Sequence, residues 1–318
     1  SADRRRRGAA RCHRADGRRR GAARSHSADG RRRCAGGASS MKRRPGATAA
    51  IYAAAAAVGL FALAPFVWML LTSIKPEGEI LRRTPSLWTA HPQFGRYSDV
   101  LKADHAAFAR ALRNSLIVAT GTTLAGVAVA ALAGYALARF DLPLRRYLLL
   151  MVMAVQMFPL VVLIIPLFVV MKALGLLDSW LGLIVAYLSF TTPLAVWLLR
   201  SFFETIPKDL EEAAMTDGAT RFGAMVRVIF PLAGPGLAAT AIFSFIAAWN
   251  EFLFALTFVK KENLRTLPVA LSAFVGQQQA DWGLIMAASV MFTVPVVLFF
   301  LVVHRRLTTG MVAGSVTG

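Results

Sequence analysis

Six runs of apolar residues, each about as long as a membrane is thick, constrain the fold of this chain more than any other feature. They cover residues 47–74, 114–138, 147–170, 180–199, 237–259 and 283–303. A helix needs about 20 apolar residues to cross the hydrocarbon core of a bilayer. The chain is 56% hydrophobic, whereas a soluble domain is usually about 45–50% apolar. We therefore predict an all-α integral membrane protein with six transmembrane helices.

Clusters of basic residues mark one end of most of these runs. They precede the first run and follow the second, fourth and sixth, and they comprise Lys42, Arg43, Arg44, Arg139, Arg145, Arg146, Arg200, Arg305 and Arg306. Because basic residues concentrate on the cytoplasmic side of membrane proteins, the pattern predicts that both termini are cytoplasmic. Lys260, Lys261 and Arg265 lie on the predicted outer side and conflict with the rule, but the even number of spans and both termini support the assignment.

Small residues and prolines inside the runs predict how the helices pack. The second run places Gly126, Ala130 and Gly134 on one helical face, which suits close contact between helices in lipid. The third run contains Pro159 and Pro166, which free backbone carbonyls that a neighbouring helix or a cavity has to satisfy.

The N-terminal 44 residues differ sharply from the rest of the chain. They hold 16 of the 36 Lys and Arg residues but only 3 of the 17 acidic residues, and an Ala-Asp motif followed by arginines recurs every 13 residues. Without an apolar period this tail cannot bury a core, so we predict that it is disordered. It could bind nucleic acid or anionic lipid, hold the N-terminus in the cytoplasm, or be sequence upstream of a natural start at Met41. We favour the last and predict no nucleic-acid binding, because no aromatic residue lies between the arginines.

These observations divide the chain into four parts. Residues 1–40 are the basic tail, 41–108 hold the first transmembrane helix and an outer loop, 109–304 form a five-helix transmembrane domain, and 305–318 are a cytoplasmic C-terminal tail. The outer loop is polar and long, so we expect it to carry short helices. Both cysteines lie in the basic tail, which excludes a disulfide framework or a cysteine-based metal site elsewhere.

A charged segment over about residues 205–232 separates the fourth and fifth runs. Its first half holds three acids that suit a first helical turn and two strong helix formers: Asp209, Glu211, Glu212, Ala213 and Ala214. Gly218 suits the left-handed residue that ends a helix, and Thr220 suits the cap of a second helix, which Pro231 ends or kinks. We predict two short helices joined at a glycine, with a small-residue face that a partner could approach closely.

The spacing within this segment closely resembles the EAA loop of permease subunits from ABC importers. Glu212-Ala213-Ala214 is followed after three residues by Gly218, and after nine more by Val228-Ile229-Phe230-Pro231. The family has isoleucine where Val228 stands and leucine where Phe230 stands, and both departures keep an apolar side chain. In that family the loop docks into a cleft on a separate ATPase subunit, whereas the alternative here is an ordinary amphipathic linker helix. The resemblance implies an ATPase-coupling set: Glu211, Glu212, Ala213, Ala214, Asp217, Gly218, Arg221, Phe222 and Pro231.

Motifs in the second half resemble the sugar-transporting branch of these permeases, of the kind similar to the maltose permease subunit that partners a second permease. They are residues 248–252, 267–271, 282–288, 305–306 and 310–318, within a resemblance that covers about residues 75–318. The resemblance implies the type-1 ABC importer transmembrane fold in the bacterial cell (inner) membrane. It also implies a second permease subunit, an ATP-binding cassette ATPase dimer, an extracytoplasmic solute-binding protein and a sugar substrate. The alternatives are import of a polyol, glycerol phosphate or amino acid, or a secondary transporter with no ATPase.

Polar residues inside the runs are candidates for the solute path. Glu251 is the only ionisable residue well inside a run, and such a residue is a functional hypothesis by default. Trp249 could stack on a sugar ring, and Asn250 and Gln156 could hydrogen-bond hydroxyl groups. Two alternatives remain: Asn250 and Glu251 could instead join two spans through hydrogen bonds, or a partner permease could supply most sugar contacts.

Catalytic chemistry is not expected in this chain. Gly218 and Gly223 have the spacing of a phosphate loop, but Ala224-Met225 stands where Lys-Ser or Lys-Thr is required. The sequence has no Gly-x-Ser-x-Gly or His-Glu-x-x-His motif, and its histidines have no metal-ligand spacing. We predict no catalytic residues, no cofactor and no metal, with ATP hydrolysed by a separate subunit.

Overall fold

Helices joined by turns make up the described part of the chain. The computed structural model describes residues 45–84, 86–102, 105–275 and 281–314, so the predicted disorder of residues 1–40 lies outside it. The chain divides into two compact units, residues 1–62 and 63–318. The described residues of the first unit are the start of helix α1, where apolar side chains such as Tyr52 and Phe61 are exposed. Exposed apolar surface of this extent suits a lipid environment.

The long helices fall close to the predicted apolar runs, and the short ones lie between them. In chain order the helices are α1 (Pro45–Ser73), α2 (Glu77–Ile80), α3 (Gly95–Lys102), α4 (His105–Arg139), α5 (Arg145–Val155), α6 (Leu160–Ala173), α7 (Trp180–Thr205), α8 (Asp209–Thr216), α9 (Arg221–Ala224), α10 (Phe230–Leu232), α11 (Gly234–Trp249), α12 (Leu253–Phe258), α13 (Leu267–Val275) and α14 (Trp282–Gly314). A π-helical stretch, Met225–Ile229, joins α9 to α10, and a short 3-10 turn covers Glu262–Leu264. The expected short helices of the loop over residues 75–111 are present as α2 and α3.

Among the described residues, four helices are long and apolar enough to cross a membrane by themselves, namely α1, α4, α7 and α14. Two bent pairs bring the number to six if each pair counts as one span: α5 with α6, which meet at 98°, and residues 221–232 with α11, which meet at 77°. The predicted C-terminal tail is partly helical, because α14 continues to Gly314.

Two predicted runs are not continuous helices. The third, over residues 147–170, breaks between α5 and α6 because Pro159 has an extended backbone (φ −59°, ψ 128°) and, as proline, no N–H to continue the helix. Pro166 is accommodated inside α6. The fifth run, over residues 237–259, contains two helices: α11 ends at Trp249 and α12 begins at Leu253.

Helix α4 packs along α7 through its small residues, as predicted. Ala130 is fully buried, and a Cβ atom added to Gly134 would lie 3.0 Å from the backbone nitrogen of Arg200. A Cβ atom added to Gly126 would lie 3.2 Å from Leu188. Because contacts advance along both helices in the same direction, α4 and α7 run parallel, which agrees with a single intervening span, the α5–α6 pair.

Polar side chains join the loops at the end of the bundle remote from residues 205–232. Asn114, fully buried at that end of α4, donates to the carbonyls of Asn263 (2.9 Å) and Arg265 (3.0 Å). Asp178 accepts from the backbone N–H groups of Lys260 (2.6 Å) and Lys261 (3.0 Å). These two hydrogen bonds hold the pKa of Asp178 below its ordinary value, and the bond from Lys261 has the larger effect. The turn that precedes α7 is therefore tied to the loop after α12.

Arg96 makes a further link at this end of the molecule. Its buried guanidinium donates to the carbonyl of Lys75 (2.5 Å) and lies 3.7 Å from the carboxylate of Asp281. A Cβ atom at Gly283 would lie 1.3 Å from this guanidinium, so a larger residue there would displace the Arg96 side chain from this position. The loop between the first two spans is thus joined to the start of α14.

Two apolar cores hold the second unit together. The larger one centres on Tyr187, Phe245, Trp249 and Phe254, which are all almost fully buried. The smaller one joins α4 and α7 to the segment that follows α9, through Tyr135, Leu199, Phe203 and Ile229 among others. The smaller core therefore supports the segment that the sequence singled out.

Candidate functional site

The 205–232 segment has the helix–glycine–helix structure that was predicted. Helix α8 ends in a Schellman motif, in which Ala219 N–H donates to Ala214 O and Gly218 N–H donates to Met215 O, both at 3.0 Å. Gly218 has φ +91°, a left-handed conformation that suits glycine. The α8 helix therefore ends at Gly218 before the next helix starts.

The second helix of the segment starts at a threonine cap. The hydroxyl of Thr220 accepts from the backbone N–H of Gly223 at 3.1 Å, as the sequence predicted. The helix passes Pro231 and bends only after Leu232, where Pro235 lies in the first turn of α11. Pro231 thus lies just before the 77° bend between residues 221–232 and α11.

A buried ion pair fixes the first helix of the segment to the end of α4. The Glu211 carboxylate lies 3.1 Å from Nε of Arg139, and these side chains are only 5% and 4% exposed. The same carboxylate accepts a hydrogen bond from the Tyr135 hydroxyl. Arg139 also donates to the carbonyl of Ile206 at 3.0 Å. With one partner removed, the other charge would be left buried, which typically costs about 3–5 kcal/mol.

Aromatic rings support the second helix of the segment. Phe230 stacks on Phe203 of α7 with centroids 6.0 Å apart, and Phe203 packs edge-on against Tyr135 at 6.0 Å. The guanidinium of Arg221 lies 5.0 Å from the centre of the Phe140 ring, where a cation is attracted to the ring face. Both halves of the segment are therefore attached to α4 and α7 by packed or paired side chains.

Much of the surface of the segment is open. Most predicted coupling residues are exposed there: Glu212, Ala213, Asp217, Gly218, Arg221, Phe222 and Pro231. Phe222 is 66% exposed, a large fraction for an aromatic side chain, and no described atom lies within 4 Å of a Cβ built on Gly218. Ala214 is half-buried and Glu211 is buried. The predicted set thus divides into an exposed face and one internal anchor, Glu211.

The structure gives the candidate solute-path residues different surroundings. Both carboxylate oxygens of Glu251 accept backbone N–H groups at the start of α12, from Phe254 (2.8 Å) and Ala255 (3.1 Å). Trp249 is 1% exposed and packs between Phe245 and Phe292, with centroids 5.7 Å and 5.6 Å away. These contacts favour a structural role for both side chains in this conformation.

The remaining two candidates lie at helix ends. Asn250 is exposed, and its amide donates to the carbonyl of Ile246 at 2.9 Å, which helps end α11. Gln156 is exposed at the end of α5, in the break before α6. Both amides therefore lie where the helices of a predicted span are interrupted.

Sequence reasoning missed the residues that anchor the segment. Arg139 was assigned only to the basic cluster that marks a cytoplasmic end, and Tyr135 was not singled out. The available signal was their position at the end of an apolar run, since Arg139 and Tyr135 are four residues apart and share one helical face.

Comparison with known proteins identifies the family. A family model described as the inner membrane component of binding-protein-dependent transport systems matches residues 99–312, about two thirds of the chain. The chain belongs to this family. It is a multi-pass inner membrane permease subunit of a binding-protein-dependent ABC importer, and the ATPase of such an importer is a separate subunit.

Several relatives align with the permease over most of their length. The sulfoquinovosyl glycerol transport system permease SmoH of Agrobacterium fabrum is 40% identical, covering 82% of this chain and 90% of its own. The trehalose transport system permease SugB of Mycobacterium tuberculosis is 39% identical, covering 81% and 93%. The trehalose/maltose transport system permease MalG of Thermococcus litoralis is 36% identical, covering 82% and 94%.

A solved structure shares the fold of the permease. The crystal structure of a bacterial ABC transporter involved in the import of the acidic polysaccharide alginate matches with a TM-score of 0.69. The match covers 82% of this chain and 98% of the other at 23% identity, so it shows the fold alone. The predicted all-α importer fold is confirmed.

Proposed function

We propose that this permease imports a carbohydrate and that residues 205–232, here named the coupling segment, transmit the motion of a separate ATPase to the spans. The observation that supports this most is the division of the segment into an exposed small-residue face and a buried anchor. A docking element needs both, because a partner has to reach it and a force on it has to reach the helices.

The exposed face is the proposed docking surface. Ala213 and Gly218 are small residues, so the backbone of a partner can approach the centre of this surface closely. Phe222 offers apolar area beside it. Glu212, Asp217 and Arg221 supply charges around this centre that can pair with groups on an ATPase. Charged groups at the edge of an interface chiefly set register and specificity.

The buried anchor explains how motion is transmitted. Glu211 joins α8 to α4 through Arg139, and Phe230 joins the second half of the segment to α7 through Phe203. Because α4 and α7 pack closely together, a displacement of the coupling segment moves both helices. Closure of two ATPase domains would draw two such segments together and open the cavity outward, and hydrolysis would reverse the motion.

The proposed assembly contains two permease subunits, an ATP-binding cassette ATPase dimer and an extracytoplasmic solute-binding protein. The coupling segment and both termini face the cytoplasm in this proposal, in agreement with the basic residues at Arg139, Arg145 and Arg200. The substrate class follows from the relatives, whose names give sulfoquinovosyl glycerol, trehalose and maltose as cargo. Asn250 and Gln156 are the exposed amides that we assign to the solute path.

The substitution Gly218→Trp tests docking. Space around Gly218 is open, so the indole does not collide with this chain but stands where the ATPase would approach. We expect uptake of labelled trehalose and maltose to fall to the level of a strain that lacks the permease, and the ATPase to be lost on co-purification in mild detergent. The amount of permease in the membrane should stay close to that of the unmodified protein.

Gly218→Asn is the matched control, because asparagine tolerates the left-handed backbone and adds little bulk. It should retain the ATPase and most uptake. Normal uptake and ATPase retention with Gly218→Trp would contradict the docking role. If deletion of the permease abolishes uptake of labelled amino acids or glycerol phosphate and leaves sugar uptake intact, the substrate class is wrong while docking can still hold.

A further inference from the structure

A groove between α5 and α7 lies outside the coupling segment and the candidate solute path. It encloses about 470 Å³, within the range of about 300–1,000 Å³ that small-molecule sites occupy. Three arginines, Arg145, Arg146 and Arg200, line one part of it. The rest is apolar and includes Leu149, Met153 and Trp197.

The arginines carry more positive charge than the neighbouring side chains neutralise. Arg145 and Arg200 both pair with the same carboxylate, that of Glu204, and the Arg200 distance is 2.7 Å. Arg146 is exposed and forms no ion pair with any side chain that the structure describes. Three positive charges therefore share one negative charge, and an anion in the groove would meet a net charge of about +2.

The start of α5 adds backbone donors to the same place. Arg145 and Arg146 occupy the first turn of this 11-residue helix, where positive charge is normally unfavourable because of the helix dipole. The residue before it, Leu144, is left-handed (φ 65°), and within the described structure no side chain caps the helix. The N–H groups of Arg145 and Leu148 donate to the carbonyls of Leu142 (3.2 Å) and Leu144 (3.0 Å), so the backbone donors left for an anion in this first turn are those of Arg146 and Tyr147.

The apolar wall continues from the arginines into the part of the molecule that spans the membrane. Leu150 and Trp197 are 56% and 40% exposed on this surface. Leu149 and Met153 follow Arg145 at four-residue intervals, so charge and apolar surface adjoin along one helix face. A bound molecule has to present an anionic group at one end and an apolar chain at the other.

We propose that this groove binds an anionic phospholipid, with its phosphate at Arg145, Arg146 and Arg200 and an acyl chain along Leu149, Met153 and Trp197. Basic pockets between transmembrane helices are known to hold anionic headgroups. An acidic protein segment fits the arginines but not the apolar wall within the bilayer. The proposed orientation assigns this lipid to the cytoplasmic leaflet, but the binding itself does not depend on that orientation.

Native mass spectrometry of the detergent-purified complex tests the proposal. Phosphatidylglycerol and phosphatidylcholine with identical acyl chains are titrated separately, and we expect tight binding of the first only. Arg146→Gln, and then Arg146→Gln with Arg200→Gln, should weaken phosphatidylglycerol binding by roughly fivefold for each arginine removed. Excess inorganic phosphate should compete no better than sodium chloride of the same ionic strength, because the acyl chain contributes to binding.

The control is Lys172→Gln, which removes an exposed basic residue at the far end of α6 and should leave lipid binding unchanged. Equal binding of both lipids, or an equal loss with Lys172→Gln, would overturn the proposal.

A second measurement does not depend on the arginine variants. A photoreactive phenylalanine analogue in place of Leu150 should cross-link to phospholipid in native membranes. Cross-linking to a protein chain instead would show that the groove is an interface and would also overturn the proposal.

Discussion

At the scale of single residues, the neighbouring acids Glu211 and Glu212 face opposite environments. Glu211 is buried against Arg139 and Tyr135, whereas Glu212 is exposed one position later. The sequence does not distinguish the two carboxylates, because both lie in the first turn of a helix, where the helix dipole favours negative charge. Their roles differ because the α8 helix brings Glu211 into contact with α4 and leaves Glu212 at the surface.

Glu211→Gln and Glu212→Gln are therefore a matched pair of substitutions. Glu211→Gln leaves the charge of Arg139 buried and unpaired, so we expect it to destabilise the permease by about 3–5 kcal/mol and to lower its thermal unfolding midpoint. Glu212→Gln should cost less than about 1 kcal/mol, as exposed substitutions usually do, but should weaken ATPase retention. Thermal unfolding and co-purification of the detergent complex measure the two effects.

The double variant Arg139→Gln with Glu211→Gln is the control for the ion pair. It should recover part of the stability that each single substitution loses, because residues in contact are energetically coupled. Equal unfolding midpoints for Glu211→Gln and Glu212→Gln would show that the ion pair does not anchor α8.

At the scale of helices, the fold depends on how closely α4 approaches α7. Gly126 and Gly134 belong to one predicted packing face, but they meet different atoms. Gly134 faces backbone of α7, at Arg200 N and Val196 O, whereas Gly126 faces the flexible end of Leu188. The sequence predicted that these glycines share one face. It could not show which of them is packed more tightly, because that depends on the atoms of α7 that each one meets.

Gly134→Ala and Gly126→Ala should consequently change the stability of the permease in different directions. Alanine favours a helix over glycine by about 1 kcal/mol at either position, whereas overpacking typically costs about 1–3 kcal/mol. We expect Gly134→Ala to lower the unfolding midpoint, because the backbone of α7 cannot move aside locally. Gly126→Ala should be neutral or slightly stabilising. A larger loss with Gly126→Ala would contradict the packing described here.

Helix breaks were only partly predictable at this scale. Pro159 indicated freed carbonyls, but the 98° bend between α5 and α6 was not foreseen. The fifth apolar run looked continuous in the sequence because apolar residues lie on both sides of the polar pair Asn250-Glu251. Glu251 caps α12 there, and a side chain that caps a helix inside an apolar run is not visible from hydropathy.

At the scale of the whole molecule, the direction in which the chain crosses the membrane determines whether the coupling segment can reach an ATPase. Asp217 and Lys261 are exposed, the first in the coupling segment and the second in the loop after α12. The proposed orientation assigns them to opposite sides of the membrane. Outside the basic tail the chain has no cysteine, so single introduced cysteines can be labelled cleanly once Cys12 and Cys34 are replaced by serine.

Labelling of Asp217→Cys and Lys261→Cys tests this orientation. A thiol reagent that does not cross membranes should label Lys261→Cys in spheroplasts and Asp217→Cys only after the membrane is opened. The orientation rests on the concentration of basic residues on the cytoplasmic side, and Lys260, Lys261 and Arg265 are exceptions to that rule. Labelling at residue 261 therefore tests the orientation where the sequence supports it least. The reverse labelling pattern would invert the topology and exclude a cytoplasmic ATPase as the partner of the coupling segment.

The sequence by itself determined the class of protein, the positions of the membrane-length helices and the helix–glycine–helix form of the coupling segment. These features depend on local signals: apolar length, capping residues and a left-handed glycine. Only the tertiary structure decided that Glu211 is an anchor, that Trp249 is a core residue and that three arginines meet beside an apolar groove. Those roles arise where residues distant in the chain come into contact, and a side chain's environment is set by the helices packed against it.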